Sequence, residues 1–145
     1  MRLVIATSLA CALLGLAVHT QGGQAGDGRP AKFFGSCEAD VTGDNRADLI
    51  QLVETIRGVE LIAMVPTATG EYTAFVLRRD KPGPAGVLRC QYGPQVTETS
   101  TISAGAAPPR VLKTPGAYVH LIFPETSSVA YVWTKDRFVE IWTSD

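Results

Sequence analysis

The chain is divided into short strand-like runs by proline- and glycine-rich turns, and this pattern restricts the fold more than any other feature. Each run has seven residues, and turn residues such as those at 81–84 and 115–116 separate them. The runs are Val59–Val65, Tyr72–Arg78, Gly86–Tyr92, Ala117–Phe123, Ser128–Thr134 and Arg137–Thr143. We therefore predict a mainly β domain, a small antiparallel sandwich or barrel-like meander of about seven or eight short strands.

Residues 46–57 fit two kinds of secondary structure. Their apolar side chains have the i, i+3, i+4, i+7 spacing of one helix face: Leu49, Leu52, Val53 and Ile56. The alternative is a strand over Asp48–Glu54 that turns back into the run beginning at Val59. Periodicity alone leaves both alternatives open.

The N-terminus has the features of a secretory signal peptide. Arg2 is followed by the uncharged apolar run Leu3–Val18 and then by small residues. The run has 16 residues, fewer than the roughly 20 that span a bilayer as a helix. The alternatives are an uncleaved membrane anchor and a lipoprotein modified at Cys11.

This signal assigns the rest of the chain to an exported protein. We predict a signal peptide over 1–25, a flexible arm over 26–32 and a single β domain over 33–145. The mature protein is then periplasmic or extracellular and has no membrane span after cleavage. Its remaining cysteines, Cys37 and Cys90, are expected to form a disulfide in that oxidising compartment, the alternative being two buried free thiols.

Charge excludes one class of partner. The formal net charge is −1, so bulk attraction to nucleic acid or to an anionic membrane is not expected. The charge is nevertheless uneven, because acids dominate 38–71 and bases dominate 78–113. We expect a monomer whose partner is an unknown protein or another envelope ligand.

An acidic loop at 40–48 has the spacing of a cation site. Side-chain oxygens fall at positions 1, 3, 5 and 9, and the carbonyl of Arg46 is at position 7; the side chains are Asp40, Thr42, Asp44 and Asp48. This is how a tight loop surrounds Ca²⁺ with oxygens. Gly43 and Asn45 tolerate the positive φ angles that such a loop requires. The spacing predicts weak Ca²⁺ binding, and the alternative is a turn whose aspartates accept backbone N–H bonds without a metal.

The same loop resembles a single FG-GAP (VCBS-type) repeat, whose signature D-x-N-G-D-G-x-x-D-L precedes a strand. The residues that carry the resemblance are Asp40, Gly43, Asp44, Asp48 and Leu49. Thr42 and Asn45 depart from the signature, and the chain has one copy of it. The resemblance implies that the aspartates bind Ca²⁺ or brace the turn, and it favours a strand over Asp48–Glu54. The C-terminal stretch 128–145 is also similar to the ending of small bacterial secreted proteins that carry this motif, a similarity that implies no activity.

The C-terminal segment predicts a two-stranded hairpin. With Lys135-Asp136 as the turn, Trp133 faces Phe138 and Tyr131 faces Glu140. One face is aliphatic, and the other carries the candidate binding patch: Tyr131, Trp133, Phe138, Glu140 and Trp142. That face is either a second buried layer or an exposed surface that needs a partner.

Catalytic machinery has little support in the sequence. The predicted mature chain has one histidine, His120, and neither Ser127 nor Ser128 is marked as an activated nucleophile. We therefore predict a non-enzymatic envelope protein with an FG-GAP-like loop, a small binding or interaction module. The alternatives are a Ca²⁺-stabilised inhibitor-like or purely structural secreted domain, and a small secreted hydrolase.

Overall fold

A computed structural model describes residues 32–81, 86–99, 109–124 and 127–143. The strands are β1 (Lys32–Ala39), β2 (Asp48–Thr55), β3 (Gly58–Pro66), β4 (Tyr72–Asp80), β5 (Val87–Tyr92), β6 (Gln95–Thr97), β7 (Val111–Lys113), β8 (Ala117–Ile122), β9 (Ser128–Thr134) and β10 (Arg137–Thr143). Within these ranges there is no helix, and hence none long and apolar enough to cross a membrane. The predicted signal peptide, Cys11 and all of the predicted arm except Lys32 lie outside the described residues.

The mainly β prediction is confirmed, in its sandwich form, because the sheets do not close into a barrel. All seven predicted strands are present, with ends within two residues of those expected. Residues 48–55 form a strand, so the helix alternative for this segment is wrong. The prediction of seven or eight strands missed β1 and the three-residue strands β6 and β7.

Two four-stranded antiparallel sheets face each other. Sheet 1 has the order β1-β2-β3-β4, sheet 2 has the order β10-β9-β8-β5, and β6 and β7 form a separate ribbon. The predicted disulfide is confirmed between Cys37 on β1 and Cys90 on β5, with 5.7 Å between the Cα atoms. It ties one pair of sheet edges together, whereas β4 and β10 end their sheets on the other side.

Both faces of sheet 2 are used for packing. Its inner face meets sheet 1 in the main core, to which Leu121, Val129 and Tyr131 contribute. On its outer face, Val96 of the ribbon packs with the aliphatic side of the C-terminal hairpin: Ala130, Val132 and Ile141. The predicted aliphatic face is therefore covered by the ribbon, and the aromatic face points toward sheet 1.

The C-terminal hairpin has the predicted register in every predicted pair, from Arg137 opposite Thr134 to Trp142 opposite Val129. Its turn residues Lys135 and Asp136 have φ angles of 50° and 65°. Two consecutive positive φ angles are the requirement of a type I′ turn, whose twist matches that of the strands it joins. The two-residue turn thus determines which side chains share the aromatic face.

Candidate functional site

A groove of about 240 Å³ lies at the edge of the sandwich that the disulfide does not close. One wall is β4 and the other is the β9–β10 hairpin. The lining residues are Phe75, Val76, Leu77, Tyr131, Arg137, Phe138 and Glu140. The groove therefore opens between the two sheets, and its lining is mostly aromatic and aliphatic.

A β-bulge in β4 shapes one wall. Leu61 pairs with Arg78 and Ile62 pairs with Val76, so Leu77 is an extra residue in the edge strand. Leu77 packs against the core, and Arg78 reaches side chains of sheet 2. The bulge turns two consecutive side chains toward the space between the sheets, which regular alternation along a strand would not allow.

Three aromatic rings pack edge to face at the end of the groove. Phe75 lies 5.4 Å from Trp133 and 5.7 Å from Phe138, and Trp133 lies 4.9 Å from Phe138, measured between ring centroids. Their interplanar angles of 69° to 80° bring ring edges against ring faces, the arrangement that aromatic quadrupoles favour. The ring cluster joins sheet 1 to sheet 2 and gives the groove a rigid wall.

A polar network joins the groove residues Tyr131 and Glu140 to Arg78 beside them. The Tyr131 hydroxyl donates to Glu140 Oε2 at 3.0 Å, and Arg78 Nη1 lies 3.9 Å from the same oxygen. Arg78 Nε donates to Asp80 Oδ2 at 2.6 Å, a bond that raises the pKa of the guanidinium. Burial raises the pKa of Tyr131. Tyr131 is therefore a neutral donor and Arg78 a cation throughout the physiological range.

The predicted aromatic patch is divided between two places. Tyr131 is 2% exposed, Trp133 and Phe138 are half-buried, and Trp142 is 44% exposed. Trp142 does not line the groove; it stacks on Phe123 with 6.5 Å between the ring centroids. The Arg78 guanidinium lies over both rings, 5.0 Å from the Phe123 centroid and 5.5 Å from the Trp142 centroid.

The groove residues that β4 supplies were not predicted from the sequence. Phe75 and Leu77 lie far from the hairpin in sequence, and only the opposition of the two sheet edges brings them together. One signal was present, since Leu77, Arg78 and Arg79 interrupt the alternation of the run. Such an interruption is typical of a bulge.

In the acidic loop, Asp40 braces the first turn. Its Oδ1 accepts bonds from the backbone N–H groups of Gly43 at 2.6 Å and Asp44 at 3.0 Å, and its Oδ2 accepts one from Asn45 at 2.8 Å. Gly43 and Asn45 have the positive φ angles that were predicted, 79° and 64°. One carboxylate thus receives three consecutive N–H groups and holds the loop closed.

Asp48 performs the same function from the other end of the loop, where β2 begins. It is completely buried, and its Oδ2 accepts bonds from Val41 N at 2.9 Å, Thr42 N at 3.0 Å and Thr42 Oγ1 at 3.1 Å. Burial raises the pKa of this carboxyl group above its usual value, in spite of the bonds it accepts. Asp48 therefore ties the end of β1 to the start of β2.

The remaining predicted ligands do not point at a common centre. Asp44 accepts bonds from Arg46 N and from Arg46 Nε, each at 2.9 Å, and its pKa is lowered by the side-chain bond from Arg46. Within the described residues, no group of three or more histidine, cysteine, aspartate or glutamate side chains is gathered as a metal site. Asp40 and Asp48 thus accept backbone N–H bonds, and Asp44 pairs with Arg46, so all three carboxylates brace the loop.

Calcium binding stays a prediction that differential scanning calorimetry tests directly. If the loop binds Ca²⁺, excess Ca²⁺ raises the melting midpoint above that in chelator, because the ion binds only the folded state. Asp44→Asn should abolish that rise while keeping a side chain of the same shape. Equal midpoints with Ca²⁺ and with chelator would contradict the prediction.

His120 lies on the outer face of sheet 2 rather than in the groove. It is 8% exposed, and its Nε2 is 3.2 Å from Thr143 Oγ1, which in turn is 2.9 Å from Ser128 Oγ. Ser128 is 2% exposed and also donates to the backbone carbonyl of Thr143. These hydroxyl groups join the ends of β8, β9 and β10, and Ser128 is not presented to a substrate.

No protein-family model matches this chain, and comparisons with curated proteins and with solved structures found no match either. The resemblance of the acidic loop to an FG-GAP repeat is thus not tested by these comparisons and stays a prediction. Function is therefore inferred from the geometry of the groove, the loop and the sheet faces.

Proposed function

We propose that this is an exported, non-enzymatic envelope protein that acts as a small binding module. Its ligand is an extended segment of a partner polypeptide that inserts an apolar side chain into the groove. The observation that carries the proposal is the aromatic-lined groove between β4 and β10, at the edge where the sheets are not tied together. In this proposal the acidic loop braces the start of β2 and does not contact the ligand.

The size and lining of the groove support a side chain as its occupant. At about 240 Å³, it is smaller than the roughly 300 to 1,000 Å³ of sites that enclose a whole small molecule. Phe75, Leu77 and Phe138 offer an apolar surface, which gains most from burying an apolar or aromatic group. Arg137 and Glu140 are exposed at the rim, where they favour opposite charges in the flanking positions of the ligand.

The strand edge beside the groove supports an extended backbone. β4 has nine residues and ends sheet 1, so its outer side has no neighbouring strand within the described ranges. A strand edge of this kind presents N–H and C=O groups to which a peptide adds as a further strand. Alternate side chains of such a peptide face the sandwich, and one of them reaches the groove.

The non-enzymatic part of the proposal is supported by the positions of the nucleophile candidates. Ser128 is buried and bonded to the backbone of Thr143, and His120 is on the opposite face of sheet 2 from the groove. The groove lining includes Tyr131, whose pKa is raised by burial, and Arg78 beside it is held as a cation by its bond to Asp80. Neither is poised for proton transfer near neutral pH.

Selection from a random peptide library on the immobilised protein tests the proposal. We expect enriched peptides with an apolar or aromatic residue in an extended context, and we expect Phe138→Ala to weaken their binding by roughly tenfold or more. Trp142→Ala is the matched control. It also removes an aromatic ring from the inner side of β10, but from outside the groove.

Nuclear magnetic resonance of the wild type makes the test independent of any variant's folding. The selected peptide should shift the amide resonances of β4 and β10 around the groove. Peptides that bind Phe138→Ala as tightly as the wild type, or shifts confined to other surfaces, would overturn the proposal.

A further inference from the structure

The outer face of sheet 1 differs from what a solvent-facing sheet requires. The outer face of sheet 2 is covered by the β6–β7 ribbon, whereas nothing within the described residues packs on the outer face of sheet 1. A one-sided antiparallel sheet places polar side chains toward water. The outward positions of sheet 1 are instead largely apolar: Phe33, Leu49, Val53, Ile62, Met64 and Val76.

Several of these apolar side chains are cross-strand neighbours, and the polar Ser36 and Gln51 lie among them. The strand register places Met64 beside Leu49 and Val76 beside Ile62. Phe33 and Val76, at the two edges, are 55% and 49% exposed. A mainly apolar sheet face that is left uncovered marks an interaction surface.

The two ends of this face carry opposite charge. At one end Glu60 is 1% exposed and is shared by Arg79 Nε at 2.8 Å and Arg57 Nε at 3.2 Å. Two cations around one carboxylate leave a net positive charge, presented by side chains that are 44% and 62% exposed. At the other end, Glu38 and Glu71 are exposed and have no ion-pair partner within the described residues.

We propose that the outer face of sheet 1 is the interface of a symmetric dimer, in which it packs on the same face of a second copy. A two-fold axis that lies across the strands sets the strands of the two copies antiparallel. It places the basic end of each face over the acidic end of the other, as a self-complementary interface requires. The apolar centre of the face, from Leu49 to Val76, is then buried between two stacked sheets.

This arrangement leaves most of the groove lining free, because the groove opens between sheets 1 and 2, and Val76 is the lining residue that also belongs to the outer face. The dimer replaces the monomer predicted from the sequence, because composition and charge contain no information about an uncovered sheet face. Dimer formation and groove binding are separate properties, and each can fail without the other.

Light scattering coupled to size-exclusion chromatography tests the dimer over about 1 µM to 1 mM protein. We expect the mass to rise from that of one chain to that of two. Val76→Glu should weaken association by roughly 100-fold, because it places a charge within the buried face. Val87→Glu is the matched control, since Val87 is an equally exposed valine, at 52%, in a strand of the other sheet.

Two further measurements test whether association depends on this face and on its charged ends. Val76 also lines the groove. Met64 lies on the same outer face but does not line the groove, so it tests the face alone. Met64→Glu should also give monomers. Raising the salt concentration from roughly 50 to 500 mM should weaken association several-fold, because the charged ends are solvent-exposed. A wild type that stays monomeric at every concentration, a Met64→Glu variant that still dimerises, or a Val87→Glu variant that is equally impaired would each overturn the proposal.

Discussion

Replacing both Cys37 and Cys90 by serine should lower the free energy of unfolding by about 4 kcal/mol, which is the loop-entropy term for the 53 residues that the bridge spans. The bridge restricts the conformations of the unfolded chain, so its removal stabilises the unfolded state more than the folded state. For a domain of this size, a loss of about 4 kcal/mol lowers the melting temperature by at least roughly 15 °C.

Urea denaturation at equilibrium measures this loss. The wild type in excess reductant is the matched control, because it has the same side chains with the bridge opened. Both forms should lose the same free energy relative to the oxidised protein. A double-serine variant within about 1 kcal/mol of the oxidised wild type would show that the bridge contributes little to stability.

The position of the bridge also explains where the groove is. Cys37 and Cys90 hold β1 against β5 at one side of the sandwich. At the other side, β4 and β10 meet through the ring cluster and the Arg78 network instead of a covalent link. Noncovalent closure leaves space between the sheets, and that space is the groove.

The elements that local sequence determines were predicted well. Lys135-Asp136 fixes the hairpin register through its turn, and Gly43 and Asn45 take the positive φ angles that the acidic loop needs. The prolines and glycines between the runs separate strands whose ends match the prediction. In each case the determining residues lie within a few positions of the feature, so no knowledge of the distant chain was required.

The features that depend on distant contacts were missed or left open. The strands β6 and β7 have three residues each, and they are strands because they pair with each other and cover sheet 2. The groove requires β4 to lie opposite β10, which follows from the order of strands in two separate sheets. Periodicity within one run contains no information about strand order.

Truncating Asp48 should have the second largest effect. Asp48→Ala removes the acceptor of the Val41 and Thr42 backbone N–H bonds in a buried position, which should lower the free energy of unfolding by about 3 kcal/mol. Asp48→Asn keeps a carbonyl oxygen of the same shape for these donors. We expect it to stay within about 1 kcal/mol of the wild type at neutral pH.

The same pair of proteins gives a pH dependence whose sign follows from the raised pKa of Asp48. The folded state retains the Asp48 proton at pH values where the unfolded chain, with an ordinary pKa near 3.8, has released it. The stability that Asp48 contributes is therefore greatest below pH 3.8 and is lost as the pH rises through the folded-state pKa.

Other carboxyl groups titrate in both proteins, so the quantity to measure is the free energy of unfolding of the wild type minus that of Asp48→Asn, by urea denaturation at each pH. This difference should fall as the pH rises from below 3.8 and should be level at neutral pH. A difference that rises over the same range would show that the bonds from Val41 and Thr42 outweigh burial.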